Sequence, residues 1–468
     1  MSKMSNVLDL VDQTFFLGER ATGITSVVQC VWVYERAIDD EGLRRFHHHL
    51  QHGRLSRRIE RSALPFGRHR WVSGGLSGLE VAAPRPREEF EAWLDEQANT
   101  PTDPEHGPGW HLAVLPFTEG GAGVSLVTSH CLADGGGLCL ALAEAAWGRH
   151  DPVSWPAAGS RPRRQALRED ARQTARDIPA MRRAVAAAAR FAWRNQGNAG
   201  KAAPLAQPPA STAGADERLT LPTATIFLDA DEWEARAHSL GGNSNTLVVG
   251  VAARLAQRVG RLTADGSLTV SMPINQRTDG DTRANAVTNV DVTVDPSPVT
   301  TDLRGIRAAI KQALIGHQQV PDARLALLPL APLMPRWLVR RMVGVATGSN
   351  NVVSSNLGAV DPVLFRADGT DADHFAARGT NLGVTKAIMD RSGGILALIS
   401  GRSRGRVFIS VVAYQPGRSN SNDDLQRHLS GAASDFSLTA TIGWPRPEPV
   451  GMAEAVAGQA QASDEKRT

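Results

Sequence analysis

At 468 residues the chain is too long for one small hydrophobic core, and two domains are the natural expectation. A composition of 42% hydrophobic and 21% charged residues is that of a globular protein and excludes a disordered or fibrous chain. A formal net charge of only +3, with no basic-aromatic module of the kinds that hold RNA or DNA, argues against a nucleic-acid partner.

Residues 1–16 carry Asp9 and Asp12 and lack the charged-then-apolar pattern of a leader peptide. Residues 24–34 predict a strand. Residues 39–51 have helical periodicity with Asp39 or Asp40 as the cap, and 88–97 predict a second helix. Strands at 111–117 and 124–129 flank a Glu119-Gly120-Gly121 turn. A helix at 137–147 then completes an α/β lobe over residues 1–151.

From 152 to 222 the composition shifts. Residues 161–201 hold eleven Arg or Lys against three acids. A long helix over 165–195, interrupted near Pro179, is expected to pack on the core through Ala, Phe and Trp with a solvated opposite face. The alternative for residues 181–194 is binding to an anionic lipid surface. Residues 197–216 read as a flexible crossover.

A second lobe, 223–450, opens with a strand at 224–228 and a short helix at 231–240, capped by Asp229 or Asp231 and ended by Gly241-Gly242. Asn243-Ser244-Asn245 caps an apolar helix running to Val259. Strands at 267–274 and 287–294 and a helix at 303–317 follow. The stretch 325–345 is the nearest approach to a membrane span, but Pro329, Pro332, Pro335, Arg336, Arg340 and Arg341 break it. It reads as a helical or irregular packed segment, interfacial at most. Strands at 351–356, 395–400 and 406–414 and an amphipathic helix at 423–436 close the lobe, and 451–468 predict a disordered tail. The expected fold class is α/β, with mixed sheets flanked by helices and no regular βαβ alternation.

The residues that carry chemistry sit at the end of the 124–129 strand, in Ser129-His130-Cys131-Leu132-Ala133-Asp134-Gly135-Gly136-Gly137. A strand end holds one imidazole at a fixed point, as a general base requires, and the glycines allow a sharp turn and close backbone approach. Asp134 either faces the imidazole or forms a buried ion pair that holds the loop. For the second case Arg277, just past the 267–274 strand, is the favoured partner, because a guanidinium forks onto both carboxylate oxygens. Cys131 points to the face opposite His130 and reads as a small buried hydrophobe. His47, His48, His49 and His52 lie on a generic amphipathic helix and read as a solvated face, so no metal site is expected. The three cysteines, Cys30, Cys131 and Cys139, lack metal or disulfide spacing and fit a reducing cytoplasm. Ser354 and Ser355 lie outside a Gly-x-Ser-x-Gly elbow, and no phosphate-cradling loop is present.

Ser129-His130-Cys131-Leu132-Ala133-Asp134-Gly135 resembles the His-His-x-x-x-Asp-Gly motif of the condensation-type acyltransferase superfamily, whose founding fold is that of chloramphenicol acetyltransferase. The nearest branch looks like the bacterial wax ester synthase/diacylglycerol acyltransferase family. The opening Leu8-Asp9-Leu10-Val11-Asp12-Gln13-Thr14-Phe15-Phe16-Leu17 resembles that family's Leu-x-x-x-Asp-x-x-Phe-Leu, and Gly109-Trp110-His111-Leu112 the segment before its motif strand. Gly241 to Leu247 is similar to its Gly-x-x-x-Asn-Asp-x-x-Leu helix start. Met272 to Arg277 with Asn289 is similar to its Pro-Val-Ser-x-Arg…Asn stretch, and Val353-Ser354-Ser355-Asn356 to its strand ending in Ser-Asn.

The resemblance covers roughly residues 8–436. It implies two chloramphenicol-acetyltransferase-like lobes with a tunnel between them, where donor thioester and acceptor meet at His130 as the catalytic base. Asp134, with Arg277, and Gly135 become structural supports, and Asn245, Asn289, Ser355 and Asn356 line the cleft or bind substrate. No cofactor is held permanently, since an acyl-CoA or acyl-carrier-protein thioester serves as co-substrate.

Three departures are visible: Ser129 replaces the first His, Thr246 an Asp, and Leu357-Gly358-Ala359 a Pro-Gly turn. They weaken the tie to the lipid-forming branch. The leading expectation is an acyl-CoA-dependent O-acyltransferase acting on a fatty alcohol, diacylglycerol or similar hydroxyl. The first alternative takes its acyl group from a carrier protein and acylates a specialised-metabolite alcohol or amine, and the other is a non-catalytic scaffold relative. The expected location is cytoplasmic, with peripheral contact at a membrane or lipid-body surface as an option.

Overall fold

The computed structural model describes residues 5–149, 155–194, 217–319, 325–340 and 351–445. The first part of the chain forms α1 (Leu10–Thr22), β1 (Thr25–Tyr34), α2 (Asp40–His52), β2 (Arg57–Glu60), β3 (Arg70–Ser73), β4 (Leu79–Val81), α3 (Phe90–Ala98), β5 (Trp110–Pro116), β6 (Ala122–Ser129) and α4 (Gly135–Ala146). Local chemistry sets these boundaries. The Asp9 side chain accepts from the Val11 N–H to start α1, and Gly23 ends it in the left-handed region at φ 74°. The Asp39 carboxylate starts α2 by accepting from the Glu41 and Gly42 N–H groups. β1 is buried from Val27 to Tyr34 because both its faces are covered, which is why it reads as an apolar run rather than an alternation.

The remainder forms α5 (Arg163–Arg194), β7 (Thr223–Asp229), α6 (Ala230–Ser239), α7 (Ser244–Arg258), β8 (Leu268–Asn275), β9 (Val287–Val294), α8 (Arg304–Gln319), β10 (Val352–Ala359), β11 (His374–Leu382), α9 (Lys386–Ser392), β12 (Ile395–Ser403), β13 (Arg406–Tyr414), α10 (Asn422–Ser434) and β14 (Thr441–Ile442). A seven-stranded sheet runs β14-β7-β13-β12-β10-β8-β9. α7, apolar on most of its surface, packs on β8, β10 and β12 and fills the core of this lobe with Leu247, Val249, Val251 and Leu255. β9 lies at the sheet edge, and its strict alternation of buried and exposed residues is the pattern of a half-solvated strand.

The two sheets are joined by one strand. β11 lies late in the chain yet belongs to the first sheet, whose order is β11-β1-β6-β5-β4. It pairs antiparallel with β1 from Thr25↔Leu382 to Val33↔His374 and packs against β13 of the other sheet. Its buried Arg378 donates to Gln29 Oε1 at 2.7 Å, Glu91 at 2.8 Å and Asp95 at 2.7 Å.

The sequence reading omits α1, the β2–β3 hairpin, β4, β11, α9 and β14. It also expects a break near Pro179, where α5 runs on unbroken. Proline removes the bond to the carbonyl four residues earlier. Here both Pro179 and Ala175 are exposed, so water can take that place. Residues 325–333 form 3₁₀ turns packed on α5 and α1, followed by a helical turn at 336–340. The expected crossover at 197–216 and tail at 451–468 lie outside the described residues.

Candidate active site

β6 ends at Ser129, and the next residues turn sharply. The Ser129 carbonyl accepts from the Leu132 N–H at 2.9 Å, and the Ser129 Oγ accepts from the Cys131 N–H at 3.2 Å. A histidine would lack this short hydroxyl, so the departure at 129 is absorbed in the turn. The His130 N–H donates to the Ser26 carbonyl at 2.9 Å, which fixes the residue to β1. Its ring stacks on Phe15 of α1, with centroids 5.1 Å apart and planes within 1°. The His130 Nδ1 is buried and has no hydrogen-bond partner among the described residues.

Asp134 does not face this imidazole. Its Oδ1 accepts from the Gly137 N–H at 2.6 Å, starting α4, and from Arg277 Nη2 at 3.0 Å. Its Oδ2 accepts from the Ala286 N–H at 2.7 Å, while its own N–H donates to the Ala284 carbonyl at 2.9 Å. Arg277 also donates to the carbonyls of Arg283 at 2.8 Å and Ala284 at 3.1 Å. The ion pair is almost fully enclosed and joins the motif loop of one lobe to the β8–β9 loop of the other.

A second carboxylate repeats this bridge. The fully buried Asp12 accepts from the N–H groups of Ala284 at 3.0 Å and Asn285 at 2.7 Å. Asn285 Nδ2 reaches on to the His130 carbonyl at 3.1 Å. Desolvation pushes the Asp12 carboxyl up to about 6, against the pull of Arg57 and the two backbone donors. Arg57 donates to the carbonyls of Leu132 at 2.8 Å and Thr282 at 2.5 Å and lies over Trp71 at 4.1 Å. Burial pulls its guanidinium down to about 10. Sequence reasoning missed Arg57 and Asn285. It met Asp12 only within the opening motif, without a role.

A cavity of about 330 Å³ opens beside the motif glycines, lined among others by Gly135, Gly136, Asn275, Ser355, Asn356 and Leu357. His130 does not line this cavity. A Cβ on Gly135 would come within 2.9 Å of Leu357 Cδ2, so the small residue at 135 makes room for the leucine that replaces the expected proline. Asn356 Nδ2 donates to Asn245 Oδ1 at 3.3 Å and ties β10 to the start of α7. There Thr246 closes a reciprocal cap with Asn243, a role open to an aspartate as well. Asn289, expected in the cleft, is an exposed residue of the edge strand β9 and does not line this cavity; the asparagine that touches the motif is Asn285.

The thiols are poor nucleophiles. Cys131 is buried, donates to Glu19 Oε2 at 3.3 Å and has its ionisation pushed well up by burial. Burial likewise pushes Cys139 up to about 12. His48 and His52 share a helix face, and the His52 ring bonds the His48 carbonyl at 2.7 Å. Among the described residues no group of three or more His, Cys, Asp or Glu is placed to hold a metal ion.

No family model matches the chain, and no curated protein matches it. Solved structures do. The nonribosomal peptide synthetase FmoA3 in its AMPPNP-bound form superposes with a TM-score of 0.52 at 18% identity, over 92% of this chain and 42% of that one. The first condensation domain of the calcium-dependent antibiotic synthetase, in complex with a substrate analogue, gives 0.54 at 14% identity, over 94% and 100%. The starter condensation domain of rhizomide synthetase RzmA gives 0.50 at 14% identity, over 92% and 94%. This chain thus spans less than half of FmoA3 but the whole of an isolated condensation domain. Two mixed sheets flanked by helices, with β11 packed between them and the motif loop tied to the β8–β9 loop, give the chain the two-lobed fold of condensation domains.

Proposed function

We propose that the chain is an acyltransferase of the condensation type, in which His130 acts as general base. The observation that carries this reading is the state of His130. It is anchored by its backbone to β1, stacked on Phe15, and has a buried Nδ1 without a partner among the described residues, at the junction of two lobes. With Nδ1 closed to solvent, Nε2 is the ring nitrogen left to take a substrate proton, and the Phe15 stack and the β1 anchor hold it in one orientation. In this mechanism an acceptor hydroxyl gives its proton to His130 as its oxygen attacks the thioester carbonyl. The tetrahedral intermediate collapses, the C–S bond breaks, and the imidazolium returns the proton to the leaving thiolate. No acyl-enzyme forms. Asp134 and Arg277 are positioning residues that keep the loop in place, and Asn245, Ser355 and Asn356 support or line the adjacent cleft.

The leading donor is an acyl-CoA and the leading acceptor a fatty alcohol, diacylglycerol or similar hydroxyl. A carrier-protein thioester with a specialised alcohol or amine is the second reading, and it fits the likeness to peptide-synthetase condensation domains equally well. The test is product formation from acyl-CoA and from acyl-loaded carrier protein against a panel of alcohols and amines, with His130→Ala as control. Loss of about 10²–10⁴-fold in turnover is expected for the variant. Equal products at equal rates from both proteins would remove the enzyme reading and leave a scaffold relative.

A further inference from the structure

We infer that the outer face of α5 docks on an anionic lipid surface. The helix sorts its charges. Its three acids turn to the body of the protein, where Glu169 pairs with Arg161, Asp170 with Arg70 and Arg161, and Asp177 with Arg68. Arg164, Arg168, Arg172, Arg176, Arg183 and Arg190 are exposed, and none pairs with a described carboxylate. At about 100° per residue they fall within an arc of roughly 120° that contains no acid. Like charges four apart on a helix repel by a few tenths of a kcal/mol, and an opposing negative surface would relieve that repulsion along the whole row.

A membrane is favoured over an acidic protein by what lies beside the row. Leu167, Ile178 and Val185 are 36%, 41% and 56% exposed and share the adjoining stripe of the helix. A basic face next to an exposed apolar one is the pattern of a helix lying in a bilayer interface. The 325–333 segment packed on α5 adds exposed Leu333, and Trp337 just beyond it is 66% exposed. Tryptophan is enriched at headgroup depth. No helix among the described residues is long and apolar enough to cross a membrane, so contact through these residues is peripheral. The same 325–333 segment packs on α1, whose Phe15 stacks on His130, so this face adjoins the candidate catalytic loop.

The inference does not depend on acyl transfer and is tested without it. Full-length protein is sedimented with vesicles of phosphatidylcholine alone or mixed with phosphatidylglycerol, at low and high salt. Binding to the anionic vesicles only, weakened by salt, is expected. Each arginine is worth about fivefold in affinity, so the triple variant Arg168→Gln, Arg172→Gln, Arg176→Gln should bind about 100-fold more weakly with unchanged helicity. Trp337→Ala should weaken binding while keeping its salt dependence. No sedimentation with either vesicle, equal sedimentation with both, or wild-type binding by the triple variant would overturn the inference. So would capture of an acidic acyl carrier protein, lost in the triple variant, without vesicle binding.

Discussion

Asp134 shows how one side chain can hold two lobes in register. Its two oxygens accept from a helix N-terminus, a guanidinium and a backbone N–H, and none of these belongs to the residue that would do the chemistry. Breaking a buried pair by removing one partner costs about 3–5 kcal/mol, because the survivor is left charged and dry. Asp134→Ala and Arg277→Met should each destabilise by that order, and the double variant by clearly less than their sum. Urea unfolding of the four proteins measures this, and strict additivity would show that the pair does not act as one unit. This contact was legible in the sequence, since a carboxylate beside glycines in a buried loop calls for an arginine. The neighbouring bridge was not. Asp12 and Ala284 lie 272 positions apart, and an aspartate accepting backbone N–H groups leaves no pairing pattern to read.

At the scale of elements, the readable pieces were those whose burial matches a simple period. β9 alternates, α7 is apolar with a cap, and β1 is a continuous apolar run. β11 escaped because it mixes apolar Phe375, Ala376 and Ala377 with polar His374, Arg378, Thr380 and Asn381, neither alternating nor continuous. Its charge is admissible because Gln29, Glu91 and Asp95 meet Arg378 inside the fold, which only the assembled structure reveals. Burial already pushes Asp95 up, so losing its cation is costly. Glu91 and Asp95 are 33% and 29% exposed, so water takes up part of the loss and Arg378→Met should destabilise by about 1.5–3 kcal/mol. Hydrogen exchange should place the loss in β1 and β11, while amides of β7 and β13 stay protected. Uniform loss across both sheets would mean that β11 is not a separable joint between the lobes.

For the whole molecule, the buried titratable groups set how stability responds to acid. Desolvation pulls His69, His111 and His374 down to about 4, helped at His69 by Arg61 and at His374 by Arg406. An unfolded histidine takes its proton near pH 6.5, so between about 6.5 and 4 the unfolded chain binds protons that the native state refuses. Stability from these groups is whole above about pH 6.5 and falls as the pH drops, by up to about 3 kcal/mol for each. Asp12 acts in the opposite sense. Its raised carboxyl binds a proton in the native state first, so it contributes up to about 3 kcal/mol that grows as pH falls from about 6 to 4. Glu19 and Asp95 are raised by burial too, but among the buried groups shifted furthest the three histidines outweigh Asp12, and the net loss is large beside a typical total of about 5–15 kcal/mol. Unfolding should therefore begin well above the usual carboxylate range. His111 isolates the effect, because neither ring nitrogen has a partner among the described residues whose loss would confuse the result. His111→Leu should raise the urea midpoint relative to wild type at about pH 5, with the gap narrowing toward pH 7. An equal gap at both values would place the acid sensitivity elsewhere than in the buried histidines.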